Sequence, residues 1–195
     1  MRIVAGVWRG RALQAPPGGT TRPTADRVRQ ALFDMLLHAP WGGRDAIEGV
    51  RLLDVFAGTG ALGLEALSRG AAFATFIEQE RAALATLRAN IATLRAEARC
   101  AVFSGDALAV DNLSADSPVA LGGAPCALVF LDPPYGADLV PRAVAHLTAR
   151  GWIAPGALIV AETARADPPW PADPLAERVH GAARITIWRA PTSGP

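Results

Sequence analysis

From residue 50 onward, stretches of consecutive apolar residues alternate with stretches in which apolar residues recur every three or four positions. The first pattern predicts buried β-strands and the second predicts amphipathic α-helices. Predicted strands cover residues 50–56, 72–78, 100–106, 126–132 and 156–162. Predicted helices follow the first strand as far as Arg69, run from Glu80 to Ala96, and run from Asp138 to Arg150. This alternation indicates an α/β fold in which helices cover both faces of a mostly parallel sheet.

The two ends of the chain depart from this alternation. Residues 176–190 contain two β-compatible runs around Gly181, which favours an antiparallel hairpin that brings the sheet to seven strands. Residues 2–14 predict a second β-hairpin, an N-terminal arm with its turn at Arg9-Gly10-Arg11. A loop at 15–23 leads to a helix that runs from Thr24 to His38. We therefore predict a single domain over residues 1–195, made of an arm (1–23) and an α/β core (24–190).

Charge distinguishes the arm from the core. All 19 basic residues are arginine, and the net charge of the whole chain is only +1. Residues 1–30 hold six arginines against the single acid Asp26, which gives this segment a charge of +5 and leaves about −4 for the rest. A basic segment on an acidic body is one possible footprint of nucleic-acid binding, although arginines also simply solvate a surface.

Several classes of protein are disfavoured by composition. Cys100 and Cys126 are too few for a disulfide framework, and the three histidines are scattered, so we expect no metal site. The N-terminus lacks a signal-peptide core, and no apolar run is long enough to span a membrane. We expect a cytoplasmic protein, with no membrane partner, that is a monomer.

A glycine-rich loop follows the first predicted strand of the core. Gly58-Thr59-Gly60-Ala61-Leu62-Gly63 is a G-x-G-x-x-G sequence between a strand and a helix, which allows a tight turn and a close approach to a ligand. Nicotinamide enzymes and methyltransferases both use such loops. Glu78 ends the next strand and can accept the hydroxyls of a ribose, and Asp106 ends the third and can accept an adenine amino group. Asp54, inside the first strand, either orients the loop or meets a ligand ammonium group.

The fourth strand ends in Asp132-Pro133-Pro134-Tyr135. The amino group on a nucleobase is a poor nucleophile because its lone pair is delocalised into the ring. The Asp132 carboxylate and the Pro133 carbonyl could each accept one amino hydrogen, which draws the lone pair out of conjugation. Proline restricts the backbone, and Tyr135 offers a flat face for stacking, worth ~1–3 kcal/mol per base. The corner therefore indicates transfer of a methyl group to an amino nitrogen, in which proximity and orientation carry most of the catalysis.

This corner resembles motif IV of the amino-group N-methyltransferases. Residues 2–13 (RIVAGVWRGRAL) and 22–36 (RPTADRVRQALFDML) resemble two signatures of the RsmD family, and the resemblance extends from Arg2 to about Trp188. It implies a Rossmann-like class I methyltransferase that uses S-adenosyl-L-methionine to methylate N2 of a guanine, of the guanine 966 type, in 16S ribosomal RNA of the bacterial small subunit or its assembly intermediate.

The resemblance also implies roles for particular residues. The catalytic corner is Asp132, Pro133, Pro134 and Tyr135. The cofactor contacts are Asp54, Phe56, Ala57, Gly58, Thr59, Gly60, Glu78, Gln79, Asp106 and Ala107. The RNA contacts are Trp8, Arg9, Arg11, Arg22, Arg27 and Arg29, although Trp8 could equally pack the arm onto the core.

Four other functions stay open on the sequence. The same corner could methylate an adenine or cytosine amino group in DNA, but 195 residues leave little room for a separate DNA-reading domain. Methylation of a protein glutamine is less favoured, because the corresponding corner of those enzymes has Asn at the position of Asp132. A nicotinamide oxidoreductase would leave the 132–135 corner unexplained, and a non-catalytic RNA module would have been free to lose it.

Overall fold

The structure is a computed structural model, and it describes residues 1–15, 23–109, 125–134, 138–168, 170–171 and 173–192. Four α-helices occur in this part of the chain: α1 (Pro23–His38), α2 (Ala61–Ser68), α3 (Arg81–Leu94) and α4 (Leu139–Ala149). The strands are β1 (Arg51–Val55), β2 (Phe73–Glu78), β3 (Cys100–Ser104), β4 (Cys126–Leu131), β5 (Ile153–Ala164), β6 (Ala176–His180) and β7 (Ala183–Arg189). Each predicted helix and strand of the core is therefore present.

The seven strands form one sheet in the order β3-β2-β1-β4-β5-β7-β6. The first five are parallel, and β7 pairs antiparallel with both β5 and β6. The strand order reverses direction between β1 and β4, and in open sheets of this kind a ligand crevice lies beyond the carboxyl ends of the strands at that point. The mostly parallel, Rossmann-like sheet is confirmed.

Two apolar layers cover the sheet. Because side chains alternate along a strand, Leu52 and Phe130 face α1, α2 and α3, whereas Leu53 and Val129 face α4. Strands buried on both faces explain the near-continuous apolar runs in the sequence. No helix in the described ranges is long and apolar enough to cross a membrane.

The N-terminal arm folds back against the first of these layers. Arg2 and Ala12 form an antiparallel bridge, and the N–H of Ile3 donates to the carbonyl of Arg11 at 2.9 Å. The side chains of Ile3 and Leu13 are buried in the same cluster as α1, α2 and α3. The arm is thus hairpin-like, with one antiparallel residue pair, and its turn lies at residues 5–10 instead of the predicted 9–11 because the chain pairs only near Arg2 and Ala12.

Candidate active site

A cavity of about 430 Å³ lies beyond the carboxyl ends of β1, β4 and β5. Met1 and α1 close one side, and the glycine-rich loop at 56–59 closes another. Three acids from three neighbouring strands line it: Asp54, Asp132 and Glu162. The cavity therefore lies at the strand ends where the sequence predicts a site.

The glycine-rich loop needs its glycines for two separate reasons. Gly58 and Gly60 have φ values of 55° and 77°, which residues with a side chain rarely adopt. Phe56 has the same left-handed backbone conformation, with a φ of 60°. At Gly60 an added Cβ would lie 2.3 Å from Leu87, and at Gly63 it would lie 2.4 Å from the Phe76 ring. The loop thus needs glycine for its positive φ angles at Gly58 and Gly60, and for its close packing against Leu87 and Phe76 where α2 begins.

Asp54 holds this loop against the sheet. It is buried, and its Oδ2 accepts the N–H of Gly63 at 2.9 Å. The pKa of Asp54 is raised to about 8, mainly by burial; the bond from Gly63 opposes this rise, and the nearby carboxylates of Asp132 and Glu78 add to it. Of the two roles left open for Asp54, the structure shows the loop-orienting one. Asp54 also lines the cavity, so a ligand ammonium group there would lie next to it.

Glu78 ends β2 and binds the other side of the same loop. Its Oε2 accepts the N–H of Gly58 at 2.7 Å, and its Oε1 accepts the N–H groups of Gln79 and Glu80 at 2.8 Å each. Three acceptor positions of the carboxylate are thus in use, out of about four. Asp106 follows β3, is exposed, and caps its own turn by accepting the N–H of Leu108 at 2.9 Å, while Ala107 is buried. Gln79 is exposed beside Glu78.

Asp132 follows β4 and projects toward the cavity beside Asp54. Its N–H lies 3.4 Å from the carbonyl of Val55, which ties it to the end of β1. Desolvation raises the pKa of Asp132 to about 7, and the Glu162 carboxylate adds to the rise. The residue is exposed at the cavity wall, so water moderates this desolvation. Pro133 is buried and Pro134 is exposed, whereas Tyr135 lies outside the described residues.

Two ionisable side chains in the cavity lining were not predicted from the sequence, Glu162 and His180. Leu131 pairs with Ala161 across β4 and β5, so Glu162 lies one register position further, next to Asp132. His180 ends β6 and is exposed at the cavity edge. The signal for Glu162 was present, because it is another acid at a strand end, like Glu78 and Asp132. In the ranges that the structure covers, no three His, Cys, Asp or Glu side chains group as metal ligands.

The predicted RNA contacts on the arm separate into two groups. Arg9, Arg11 and Arg27 are exposed. Trp8 is half-buried against the core, its N–H donates to Ser68 Oγ at 3.0 Å, and the Arg99 guanidinium lies 5.4 Å from the centre of its ring. Of the two roles predicted for Trp8, the structure therefore supports the one in which it packs the arm onto the core. Arg22 lies outside the described part of the chain.

Arg29 has a structural role in place of an exposed one. It is only 5% exposed, its guanidinium donates to the Arg2 carbonyl and to Asp26 Oδ1, and it lies 3.5 Å from Glu65. The family resemblance had implied an RNA contact for Arg29, which requires an exposed side chain. We leave Arg29 out of the RNA contacts proposed below, because its charge is already paired inside the protein.

Glu65 of α2 is a further residue that the sequence did not mark. Its side chain is fully buried and accepts the N–H groups of Val4 at 2.7 Å and Ala5 at 2.9 Å. It also accepts from Arg69 Nε at 2.8 Å. The buried Glu65 carboxylate, together with Ser68, thus holds the N-terminal arm on the helix that follows the glycine-rich loop.

Comparison with known sequences decides the family. The model of the family described as Conserved hypothetical protein 95 matches residues 1–188. The chain belongs to this family. The chain is 45% identical over 163 residues to Ribosomal RNA small subunit methyltransferase D of Escherichia coli (strain K12), covering 84% of this chain and 74% of that protein. The protein of the same name from Haemophilus influenzae is 37% identical over 169 residues, covering 86% and 81%. The chain is thus an RsmD-type methyltransferase, as the two N-terminal signatures indicated.

Solved structures agree with this assignment. The Escherichia coli protein yhhF has the same fold with a TM-score of 0.80 and 38% identity, covering 99% of each chain. An RNA methyltransferase from Salinibacter ruber, solved in complex with S-adenosyl-L-homocysteine, gives a TM-score of 0.59 at 17% identity, covering 91% and 96%. This second likeness concerns the fold alone.

The acids and the loop of this RsmD-type chain fit S-adenosyl-L-methionine chemically. An added Cβ at Gly58 would meet only the Phe56 carbonyl, at 4.0 Å, so the loop leaves open space for a ligand. The acids of β1, β2 and β3 offer acceptor oxygens for the ammonium, hydroxyl and amino groups of such a ligand, and the ammonium charge would favour the ionised form of Asp54. Glu78 and Asp106 lie outside the lining of the cavity, so the adenosine part would lie beyond the loop, toward β2 and β3.

Proposed function

We propose that this protein transfers a methyl group from S-adenosyl-L-methionine to N2 of a guanine in 16S ribosomal RNA, of the guanine 966 type. One observation supports the chemistry above all others: Asp132 and Pro133 directly follow β4, beside the glycine-rich loop. The substrate rests on the family, because the curated relatives are named ribosomal RNA small subunit methyltransferases.

The cofactor is proposed to bind across the ends of β1, β2 and β3. The loop residues 56–60 would pass over it, Asp54 would face its ammonium group, and Glu78 would face its ribose. Gln79, Asp106 and Ala107 would surround the adenine. S-adenosyl-L-methionine, when bound there, supplies a methyl group on a positively charged sulfur.

The protein itself prepares the amino group that receives the methyl. The Asp132 carboxylate would accept one amino hydrogen and the Pro133 carbonyl the other, which draws the nitrogen lone pair out of the purine ring. As positive charge reaches the nitrogen, the Asp132 carboxylate stabilises it. Asp132 must be ionised for both tasks, and its pKa of about 7 places that ionisation in the neutral range. Pro134 fixes the backbone, and Tyr135 is proposed to stack on the base.

The RNA is proposed to approach over the arm and α1. Arg9, Arg11 and Arg27 expose guanidinium groups on that side, and Arg22 is proposed to join them. The target base must be splayed out of its stack to reach Asp132. We further propose that the protein acts as a monomer in the cytoplasm, on the small subunit or on an assembly intermediate of it.

A substitution at Asp132 tests this function. Asp132→Asn keeps the size of the side chain but replaces one acceptor oxygen by a donor, so kcat should fall on the order of 100-fold or more. Binding of S-adenosyl-L-homocysteine, measured by calorimetry, should stay within about twofold of the unsubstituted protein. Asp45→Asn, an exposed aspartate outside the cavity, is the matched control and should leave both quantities unchanged. Full activity in Asp132→Asn would rule out the proposed catalytic corner.

A further inference from the structure

Glu162 occupies a position from which it can reach the same base as Asp132. The parallel register pairs Phe130 with Val160 and Leu131 with Ala161, so Asp132 and Glu162 follow as direct neighbours on adjacent strands. Alternation places both on the face that carries Phe130 and Val160, and both line the cavity. Adjacent strands lie about 4.8 Å apart, so both carboxylates can approach one edge of a planar base.

The electrostatics of the cavity agree with this placement. Glu162 follows Ala161 as Asp132 follows its register partner Leu131, and its negative charge contributes to the raised pKa of Asp132. Asp54 adds a third acid on the same side of the sheet. Carboxylate oxygens accept hydrogen bonds, so a ligand group between Asp132 and Glu162 should present hydrogen-bond donors.

Guanine differs from adenine and cytosine in the ring nitrogen that lies next to its amino group. Its ring N1 carries a hydrogen, so N1 and the amino group present three N–H donors in a row. In adenine and cytosine the ring nitrogen beside the amino group has a lone pair and accepts hydrogen bonds. A carboxylate only accepts, so it attracts the guanine N1–H and repels the ring nitrogen of adenine or cytosine.

We propose that Glu162 determines the specificity for guanine by accepting the N1–H, while Asp132 and the Pro133 carbonyl accept the two amino hydrogens. This proposal rests on the proposed function and names the residue that selects its substrate. Glu162 selects partly by repulsion, because a base with a lone pair at this position would leave a carboxylate facing an acceptor. A site built to bind a donor can reject an analogue that lacks it by several orders of magnitude.

The test compares two bases that share the reacting amino group. Small subunits are assembled with a 16S RNA that carries either guanine or 2-aminopurine at the target position. The 2-aminopurine base keeps the 2-amino group but has a lone pair at N1. Initial rates of N2 methylation give kcat/KM for both substrates with the unsubstituted protein, with Glu162→Gln, and with the control Glu97→Gln, an exposed glutamate at the opposite edge of the sheet.

The expected result is a change in selectivity rather than a uniform loss. The unsubstituted protein and Glu97→Gln should prefer guanine by on the order of 100-fold or more. In Glu162→Gln the amide can donate to N1, so this preference should shrink on the order of tenfold or more, with 2-aminopurine methylated faster than by the unsubstituted protein. Equal thermal unfolding of the three proteins would show that the change is not a folding defect.

Two outcomes would overturn the proposal, and they differ. An unchanged preference in Glu162→Gln, with guanine still methylated at N2 by the unsubstituted protein, would refute the role of Glu162 and leave the proposed function standing. No N2 methylation of the guanine substrate by the unsubstituted protein would refute the proposed function, and the specificity role with it.

Discussion

Removing the Glu65 carboxylate should weaken the attachment of the N-terminal arm and destabilise the protein. Four groups depend on this carboxylate: the N–H groups of Val4 and Ala5, and the guanidinium groups of Arg69 and Arg29. The two arginine side chains are 7% and 4% exposed, so neither can regain full hydration when the acid is lost. Glu65→Ala therefore leaves buried donors without an acceptor and two buried charges with fewer partners.

The expected cost of Glu65→Ala is about 3–5 kcal/mol, the range for breaking a buried ion pair by removing one partner. The two N–H groups left without an acceptor would add ~1–3 kcal/mol each. Arg69, however, keeps its contacts with Gln30 at 3.1 Å and with the ring of Phe33. The range of about 3–5 kcal/mol is therefore the better estimate of the total cost. Glu65→Gln keeps the volume and one acceptor oxygen, and it should cost about 2 kcal/mol.

Urea unfolding measures these differences. With a dependence of about 2 kcal/mol per molar urea, Glu65→Ala should lower the midpoint by roughly 1.5–2.5 M and Glu65→Gln by roughly 1 M. Glu97→Ala, an exposed glutamate, is the control and should stay within about 0.5 kcal/mol. If both Glu65 variants unfold within about 0.5 kcal/mol of the unsubstituted protein, the buried carboxylate does not hold the arm as described.

Three further predictions concern the cavity, the loop and the arm. Because Asp132 must be ionised and its pKa is raised to about 7, kcat/KM should fall below pH 7 and approach a tenfold loss per pH unit, whereas a flat profile between pH 5.5 and 8 would contradict the role of its carboxylate. Gly63→Ala places a Cβ 2.4 Å from the buried Phe76 ring, so its free energy of unfolding should drop by about 1–3 kcal/mol despite the better helix propensity of alanine, and an unchanged melting temperature would argue against this packing. The double substitution Arg9→Ala and Arg11→Ala should weaken RNA binding and reduce the slope of log affinity against log salt by about 1–2, with no change in the binding of S-adenosyl-L-homocysteine; an unaltered slope would remove the arm from the RNA interface.

Local patterns were sufficient to predict most of the core. Strand positions agree within about three residues because fully buried strands give continuous apolar runs that end at glycine, proline or an acid. The largest difference is at β5, which begins at Ile153 instead of residue 156, because Ile153 pairs with Cys126 before a shift in register. Such a pairing depends on a distant strand and leaves no local trace.

The candidate site could be predicted only where its residues follow a strand in a recognisable motif. The loop at 58–63 and the corner at Asp132 meet this condition. Glu65 does not, because it lies among the apolar residues of α2 and its partners come from the arm, about 60 positions earlier. The burial of Arg29 could not be predicted for the same reason: Asp26 lies three residues earlier on α1, but only the folded chain brings Glu65 and the Arg2 carbonyl to its guanidinium.

The most direct measurement is the identity of the methylated nucleoside. Unmethylated small ribosomal subunits, naked 16S RNA and duplex DNA are incubated in parallel with labelled S-adenosyl-L-methionine, then digested and analysed by mass spectrometry. We expect N2-methylguanosine from the ribosomal sample and no methylated base from DNA. N6-methyladenine or N4-methylcytosine from the DNA, with nothing from the ribosomal samples, would contradict the proposed substrate while keeping the amino-methylating corner at Asp132.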